Sequence, residues 1–477
     1  MSTLATGVMP GDAATGLRPV PGPRPARAPW GVLELIAVSP TVFPALLFIP
    51  GMFALRTPLR ILDFTLVLFV WAWVLIRGGG QVGRPYVPQI LLGCCAGWLL
   101  ISIFHPTTNS LISGTAEAVL VVSIMSPVFW VPMLKITPQR LTRVLRLLFL
   151  ANLLSSLWGL GQVYQPERFN PPDYQIFHQN EDIKASLTLT TASGREIVRP
   201  SGLTDTPGGA AVASANVLLI GLIWALRPMA FWRRGILIGL GFMAMGVIYI
   251  SQVRVMLLTT VGSLTVTTGL FVLRRNVGKA AVLAGVLTAL VFGALAWASF
   301  VGGEEATRRF AELLEQDAGA TYQKNRGGFL QQAIHVYIPR YPLGAGLGRW
   351  GQIFYYFGDK KYPFGVGKGE LYSEIQLTAW VFDGGLPLVF GYCAAIAAAM
   401  WLTFRIALRG NDPDVSYWGC VVFAIGLTLV VCCLGAMPFI GPPGVQFWLL
   451  MTTLYAANEQ AAVAARRARR AAARGAS

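Results

Sequence analysis

The chain has 477 residues, 54% of them hydrophobic and only 13% charged, with a mean hydropathy of +0.57. Soluble domains carry roughly 25% charged residues, so a chain this long with half that fraction lacks the charge to cover a water-facing surface, which excludes a soluble globular class. The formal charge of +16 would suggest nucleic acid in a soluble protein; in a membrane protein it reflects Lys and Arg retained in cytoplasmic loops beside anionic headgroups.

Residues 1–30 are rich in Pro, Gly and Ala, and no small-residue cleavage site follows a compact apolar core. They predict a disordered cytoplasmic leader rather than a signal peptide. Twelve apolar windows long enough to cross roughly 30 Å of hydrocarbon follow, near 31–52, 61–76, 88–104, 111–133, 145–164, 208–226, 235–250, 255–273, 280–301, 384–404, 416–436 and 441–457. The first is interrupted by Pro40, Pro44 and Pro50, breaks that neighbouring helices can compensate. The expected fold is therefore an all-α polytopic membrane protein of about 12 transmembrane helices, with its bundle at 31–457 and a basic tail at 458–477.

Orientation follows from the Lys and Arg between spans. Arg77 and Arg84, then Lys135, Arg140 and Arg143, then Arg227, Arg233 and Arg234, then Arg274, Arg275 and Lys279, then Arg405 and Arg409 occupy alternate loops. The tail adds Arg466, Arg467, Arg469, Arg470 and Arg474. The intervening short loops hold Arg56, Arg60 and Arg254. Both termini are expected in the cytoplasm.

Two long connections, 165–207 and 302–383, then fall outside. Such lengths are uncommon unless they carry function. Within the second, Glu304–Glu315 and Phe329–Tyr337 have apolar residues at helical spacing and predict helices on the membrane surface, capping a cavity.

The first outer loop ends in Arg199-Pro200-Ser201-Gly202, and the tight link Ser251-Gln252-Val253-Arg254 holds a second arginine at the outer mouth. A guanidinium matches phosphate oxygens in pairs, although Arg199 also fits an arginine snorkelling to the interface. The second loop carries Arg326, His335, Arg340 and Arg349 as candidate anion- or glycan-binding residues, and Glu374 as a candidate proton acceptor or as the partner of a loop arginine. Gly344-Ala345-Gly346-Leu347-Gly348 is no dinucleotide fingerprint, since no strand or β-α-β unit surrounds it. It reads as a tight turn offering backbone amides to a polar ligand. His105, His178 and His335 share no metal-ligand spacing, and the six cysteines lie in apolar runs as small buried hydrophobes. No cofactor, metal or nucleic acid is expected.

Taken in order, Arg199-Pro200-Ser201-Gly202, Ser251-x-x-Arg254, and the loop running from Arg326 through Pro342-Leu343-Gly344-Ala345-Gly346-Leu347-Gly348 to Asp383-Gly384-Gly385-Leu386-Pro387 resemble the O-antigen ligase and Wzy-type O-antigen polymerase family, over roughly residues 195–400. The resemblance implies a metal-independent glycosyltransferase in the bacterial cytoplasmic membrane. Such an enzyme moves glycan from undecaprenyl diphosphate to an acceptor on the outer face, for O-antigen, capsule or exopolysaccharide, with a chain-length regulator or other export protein as a further partner. It assigns Arg199 and Arg254 to the diphosphate, with Arg326 a weaker match. Two positions depart from the family: Glu374-Ile375 stands where a His-Asn pair is common, and Pro207-Gly208 replaces Pro-Asn. The first departure favours polymerase over ligase, with Glu374 as base. A secondary transporter of a small anion such as bicarbonate is the alternative from another class.

Overall fold

A computed structural model gives the fold over residues 31–77, 85–171, 188–190, 196–204, 206–315 and 323–475. The expected leader, Arg84 and His178 lie outside these residues. Twelve principal helices run in chain order: α1 Val32–Ala45, α2 Arg56–Ile76, α3 Val87–Ser102, α4 Leu111–Met125, α5 Pro138–Tyr164, α6 Gly209–Ala225, α7 Phe231–Ile250, α8 Arg254–Leu273, α9 Val277–Glu315, α10 Gln376–Arg409, α11 Pro413–Cys432 and α12 Pro442–Gly475. Each apolar window of the sequence thus contains a helix. Among the described residues, seven are long and apolar enough to cross a bilayer: α2, α5, α7, α8, the Val277–Trp297 part of α9, α10 and α11. Helix α4 with the adjoining Pro127–Met133 turn, bent by 43°, makes an eighth. Helices α1, α3 and α6 are apolar but shorter. The chain is a helical, multi-pass membrane protein.

Helix α12 forms the centre. It packs against α1, α4, α5, α10 and α11, and its first half is almost entirely buried. A helix wrapped by protein can carry polar groups that lipid would reject, and here Thr452, Thr453 and Asn458 are buried. Trp448 donates its indole N–H to the Tyr392 hydroxyl of α10 at 3.0 Å, within a cluster that includes Phe439 and Trp380. A polar seam joins α5 to α6, where the Ser156 and Ser214 hydroxyls lie 2.6 Å apart and Asn216 Nδ2 donates to Asn152 Oδ1.

Three sequence expectations change. The first long loop contains an antiparallel pair of short strands, β1 Thr188–Thr190 and β2 Glu196–Val198, with Leu189 opposite Ile197, where β-branched residues suit a pleated ladder. Glu304–Glu315 is not a separate surface helix, because α9 continues unbroken to Glu315; glycines alone cost a helix about 1 kcal/mol each and do not end it as proline does. The Phe329–Tyr337 helix is present within a helical stretch from Gln323 to Arg340 that contains two wide π turns.

The third change concerns the end of the second loop. Helix α10 begins at Gln376, so Asp383 lies inside a helix instead of closing a loop. Asp383-Gly384-Gly385-Leu386-Pro387 has the composition of a boundary, and the helix does break there, with Gly385 at φ 61°, ψ −154°. The broken backbone finds partners elsewhere: Trp98 Nε1 donates to the Gly384 carbonyl (2.8 Å), Ala345 N to Phe382 O (2.8 Å) and Leu386 N to Pro342 O (2.8 Å). Satisfying the freed groups from neighbours is what allows a break within a bundle.

Candidate functional site

The Arg199 turn follows β2 at once and is pinned to the end of α5. Gln162 Nε2 donates to Ser201 Oγ and to the Gly202 carbonyl, each at 3.1 Å, while its Oε1 accepts from Gly202 N at 2.9 Å. Ser155 Oγ accepts from Leu203 N at 3.0 Å. The turn then enters α6 through Gly208, where an added Cβ would lie 3.1 Å from Val253 Cγ2. Arg254 opens α8 one residue later, so the Arg199 turn and the Arg254 link are neighbouring segments. Arg199 and Arg254 are both half-buried.

The chain of contacts continues. Val255 lies against Gly435, in the link between α11 and α12. That link accepts Gln376 N through the carbonyls of Cys433 (3.3 Å) and Ala436 (3.1 Å), and returns Phe439 N to Gln376 Oε1 at 2.9 Å. Two residues before Gln376, Glu374 forms an ion pair with Arg326 and accepts a hydrogen bond from the Tyr372 hydroxyl. Arg326 is 38% exposed and Glu374 25%, so the pair is open to solvent. Of the two sequence readings of Glu374, the structure has the partner of a loop arginine. His335 and Arg340 are exposed on the Gln323–Arg340 stretch, and Arg340 lies 5.4 Å from the Tyr341 ring centre.

Beneath the Arg326–Glu374 pair, a groove of about 700 Å³ runs between α10 and α11. Its walls include Trp380, Ile396, Met400, Phe404 and Phe423, and Leu330 and Ile375 also line it. Ile375 is the residue after Glu374, and Leu330 stands one helical turn from Arg326. A charged, solvent-facing pair therefore sits over an apolar groove. The walls of this groove are not marked in the sequence, because most come from two helices whose apolar residues look like any others.

The Gly344–Gly348 turn has a structural role instead of the expected ligand-binding one. Its residues are buried, and three of its amides bond within the protein: Gly344 N to Tyr341 O, Ala345 N to Phe382 O, and Leu347 N to Thr108 Oγ1 at 3.2 Å. Gly346 (φ +86°) packs so closely that a Cβ would lie 2.4 Å from Thr108 N, and a Cβ on Gly385 would lie 2.2 Å from Pro342 O. Only glycine fits two backbones that approach this closely with positive φ. Two motifs forty residues apart in the chain thus form one joint.

Arg349 is part of that joint. It is 1% exposed, with Nε donating to Gly369 O at 2.9 Å and Nη1 to Ala345 O at 2.7 Å. Burial pulls its pKa down, and the Tyr341 hydroxyl beside it works the other way. It holds the loop together and does not face a solvent-accessible site, which corrects its expected place among ligand-binding residues. His105, bonded through Nδ1 to Thr107 Oγ1 at 2.8 Å, is held below the ordinary histidine range by burial and then by the Arg349 charge. Among the described residues, no three His, Cys, Asp or Glu side chains gather to hold a metal ion.

Sequence reasoning missed Gln162, which fixes the Arg199 turn. A glutamine closing an apolar helix was its only signal. Fold and site define a multi-pass helical membrane protein with a charged rim over an apolar groove. Among known proteins, no family model matches the chain and no curated protein matches it.

Proposed function

We propose that the chain is a membrane glycosyltransferase that polymerises lipid-diphosphate-linked oligosaccharide repeats on the outer face of the bacterial cytoplasmic membrane. The observation that carries this reading is the adjacency of the Arg326–Glu374 pair to the apolar groove. A donor with an anionic diphosphate and a long hydrocarbon tail needs guanidinium groups at a solvent-facing rim and an apolar channel directly below, and this end of the bundle has both. The motif resemblance supplies the substrate class, undecaprenyl diphosphate carrying glycan. Ligation of finished glycan to a different acceptor is the same chemistry with another partner.

In this scheme Arg199 and Arg254 hold the diphosphate, and Arg326 leaves Glu374 to join them. The exchange frees the Glu374 oxygens to take the proton from the acceptor hydroxyl as that oxygen attacks the anomeric carbon. The anomeric C–O bond breaks, and the lipid diphosphate departs with its charge neutralised by the arginines, the stabilisation such a step needs most.

Purified protein in nanodiscs, given a lipid-diphosphate repeat unit, should make longer glycan, and Arg254→Ala should abolish elongation. An Arg254→Ala protein that elongates at the wild-type rate overturns the scheme. The donor should also protect Cys393 and Cys433, which line the groove, from a lipid-soluble maleimide.

One observation favours anion or proton transport instead. Asp63 in α2 is 4% exposed and its Oδ1 has no hydrogen-bond partner among the described residues, beside an α1 that runs unbroken through Pro40 and Pro44. Buried ionisable groups within spans mark substrate and ion paths in transporters. Substrate uptake into proteoliposomes without glycan elongation decides for that reading.

A further inference from the structure

Two carboxyl groups in the joint between loop and bundle serve neither reading. Glu117 of α4 is 2% exposed and Asp383 of α10 is 1% exposed, and the two lie within electrostatic reach of each other. The geometry explains their meeting. The Gly348 turn packs on Ser113, one turn before Glu117, and Trp350, two residues further on, donates its Nε1–H to Asp383 Oδ1 at 2.6 Å. Among the described residues, Glu117 Oε2 has no hydrogen-bond partner.

Among the described residues neither carboxyl forms an ion pair. The titratable groups on the surrounding segments are engaged elsewhere. Arg349 directs Nε and Nη1 to the Gly369 and Ala345 carbonyls, its buried Nη2 having no hydrogen-bond partner among the described residues, and His105 is bonded to Thr107. Tyr337 and Tyr341 pack their rings against Phe382, and Tyr392 accepts from Trp448. Two ionised carboxylates side by side, without a cation and out of water, carry both a desolvation cost and mutual repulsion.

We propose that Glu117 and Asp383 form a proton-binding site that holds one proton at neutral pH and thereby keeps the second long loop clamped to the bundle. Trp350 donates to Asp383, and among the described residues nothing donates to Glu117 Oε2, so the hydrogen bond favours the charge on Asp383 and the proton on Glu117. Loss of that proton places a second negative charge in the joint, and separating α4 from the break in α10 relieves it. The site is independent of the glycosyltransferase reading.

Infrared spectroscopy of the full-length protein in detergent tests this directly. The wild type should show the carbonyl stretch of a buried carboxylic acid at neutral pH, and Glu117→Gln should lack it. Thermal stability of the wild type should fall as pH rises into the alkaline range, whereas Glu117→Gln, which mimics the protonated acid, should be indifferent over the same range. Should Glu117→Gln not fold, Asp383→Asn serves instead: without the neighbouring charge Glu117 gives up its proton more readily, so the loss should be smaller and complete at lower pH than in the wild type. A wild-type spectrum without the acid band, or a Glu117→Gln protein as pH-sensitive as wild type, overturns the proposal. So does stability at fixed pH that rises with sodium, which would make the occupant a metal cation.

Discussion

At the end of the bundle where α1, α5 and α11 begin, the buried carboxylate has dedicated partners. Glu34, fully buried, accepts from Arg140 Nε at 3.1 Å and Nη2 at 2.9 Å, with Arg143 at 3.9 Å, while the exposed Asp414 pairs with Arg227 at the surface. At the opposite end, where α6, α8 and α10 begin, the fastening is done by backbone. Glycines let strands of chain touch, carbonyls receive the arginine of the joint, and among the described residues the buried carboxyls have no cation. The buried charge at the first end, Glu34, is consumed by the fold, while the ionic pair over the groove at the second, Arg326 with Glu374, is part open to water. An end that spends its charges on itself is suited to anchoring; one that leaves them accessible is suited to a ligand.

The difference can be broken most severely at the glycine joint. Gly385→Val should cost about 3–5 kcal/mol, combining a backbone region reserved for glycine with overpacking against Pro342, and should remove monodisperse protein from detergent extracts. Gly262→Ala in α8, with open space around it, should instead gain up to about 1 kcal/mol and controls for glycine loss in general.

Next in size is the ion pair of the anchoring end. Arg140→Ala leaves Glu34 buried without its main partner and should cost about 3 kcal/mol, read as a fall in thermal midpoint. Glu34→Ala should cost less, since Arg140 is 21% exposed and its guanidinium can reach water. Equal losses would show that packing, not charge, dominates there.

Arg326→Ala and Glu374→Ala should each change stability by under about 1 kcal/mol, as part-exposed pairs do, while glycan elongation falls at least tenfold in both. Large stability losses would make the pair a staple like that of Glu34 and erase the contrast between the ends. The smallest effect is expected at His105. Its depressed pKa means that the fold prefers the neutral ring, so its contribution is complete above the unfolded value of about 6.5 and declines as pH falls below it. A His105→Asn melt should be flatter than wild type between neutral and mildly acidic pH.

The helical segments were legible because apolar length is a local property, and every apolar window of the sequence contains a helix. The start of α10 was not: Asp383-Gly384-Gly385-Leu386-Pro387 reads as a stop, and only the distant Trp98, Ala345 and Pro342 turn it into a kink. Arg349 misled for the same reason, because a loop arginine between glycine and tryptophan reads as exposed until the carbonyls of Gly369 and Ala345 enclose it. Arg199, Arg254, Arg326 and Glu374 were legible as charges beside turns at one end. Their linkage through Gly208, Val253, Gly435 and Gln376 depends on contacts between segments far apart in the chain.

Helix α12 has a mechanical consequence. Its buried half ends at Asn458, whose side chain and carbonyl are tied to Asn411 in the turn after α10, and the same helix continues exposed through Arg474. Residues 459–475 therefore form a stalk rising about 25 Å, clamped at its base. Anything joined beyond Gly475 is carried on a lever with a fixed heading, so its position reports any tilt of the bundle's centre.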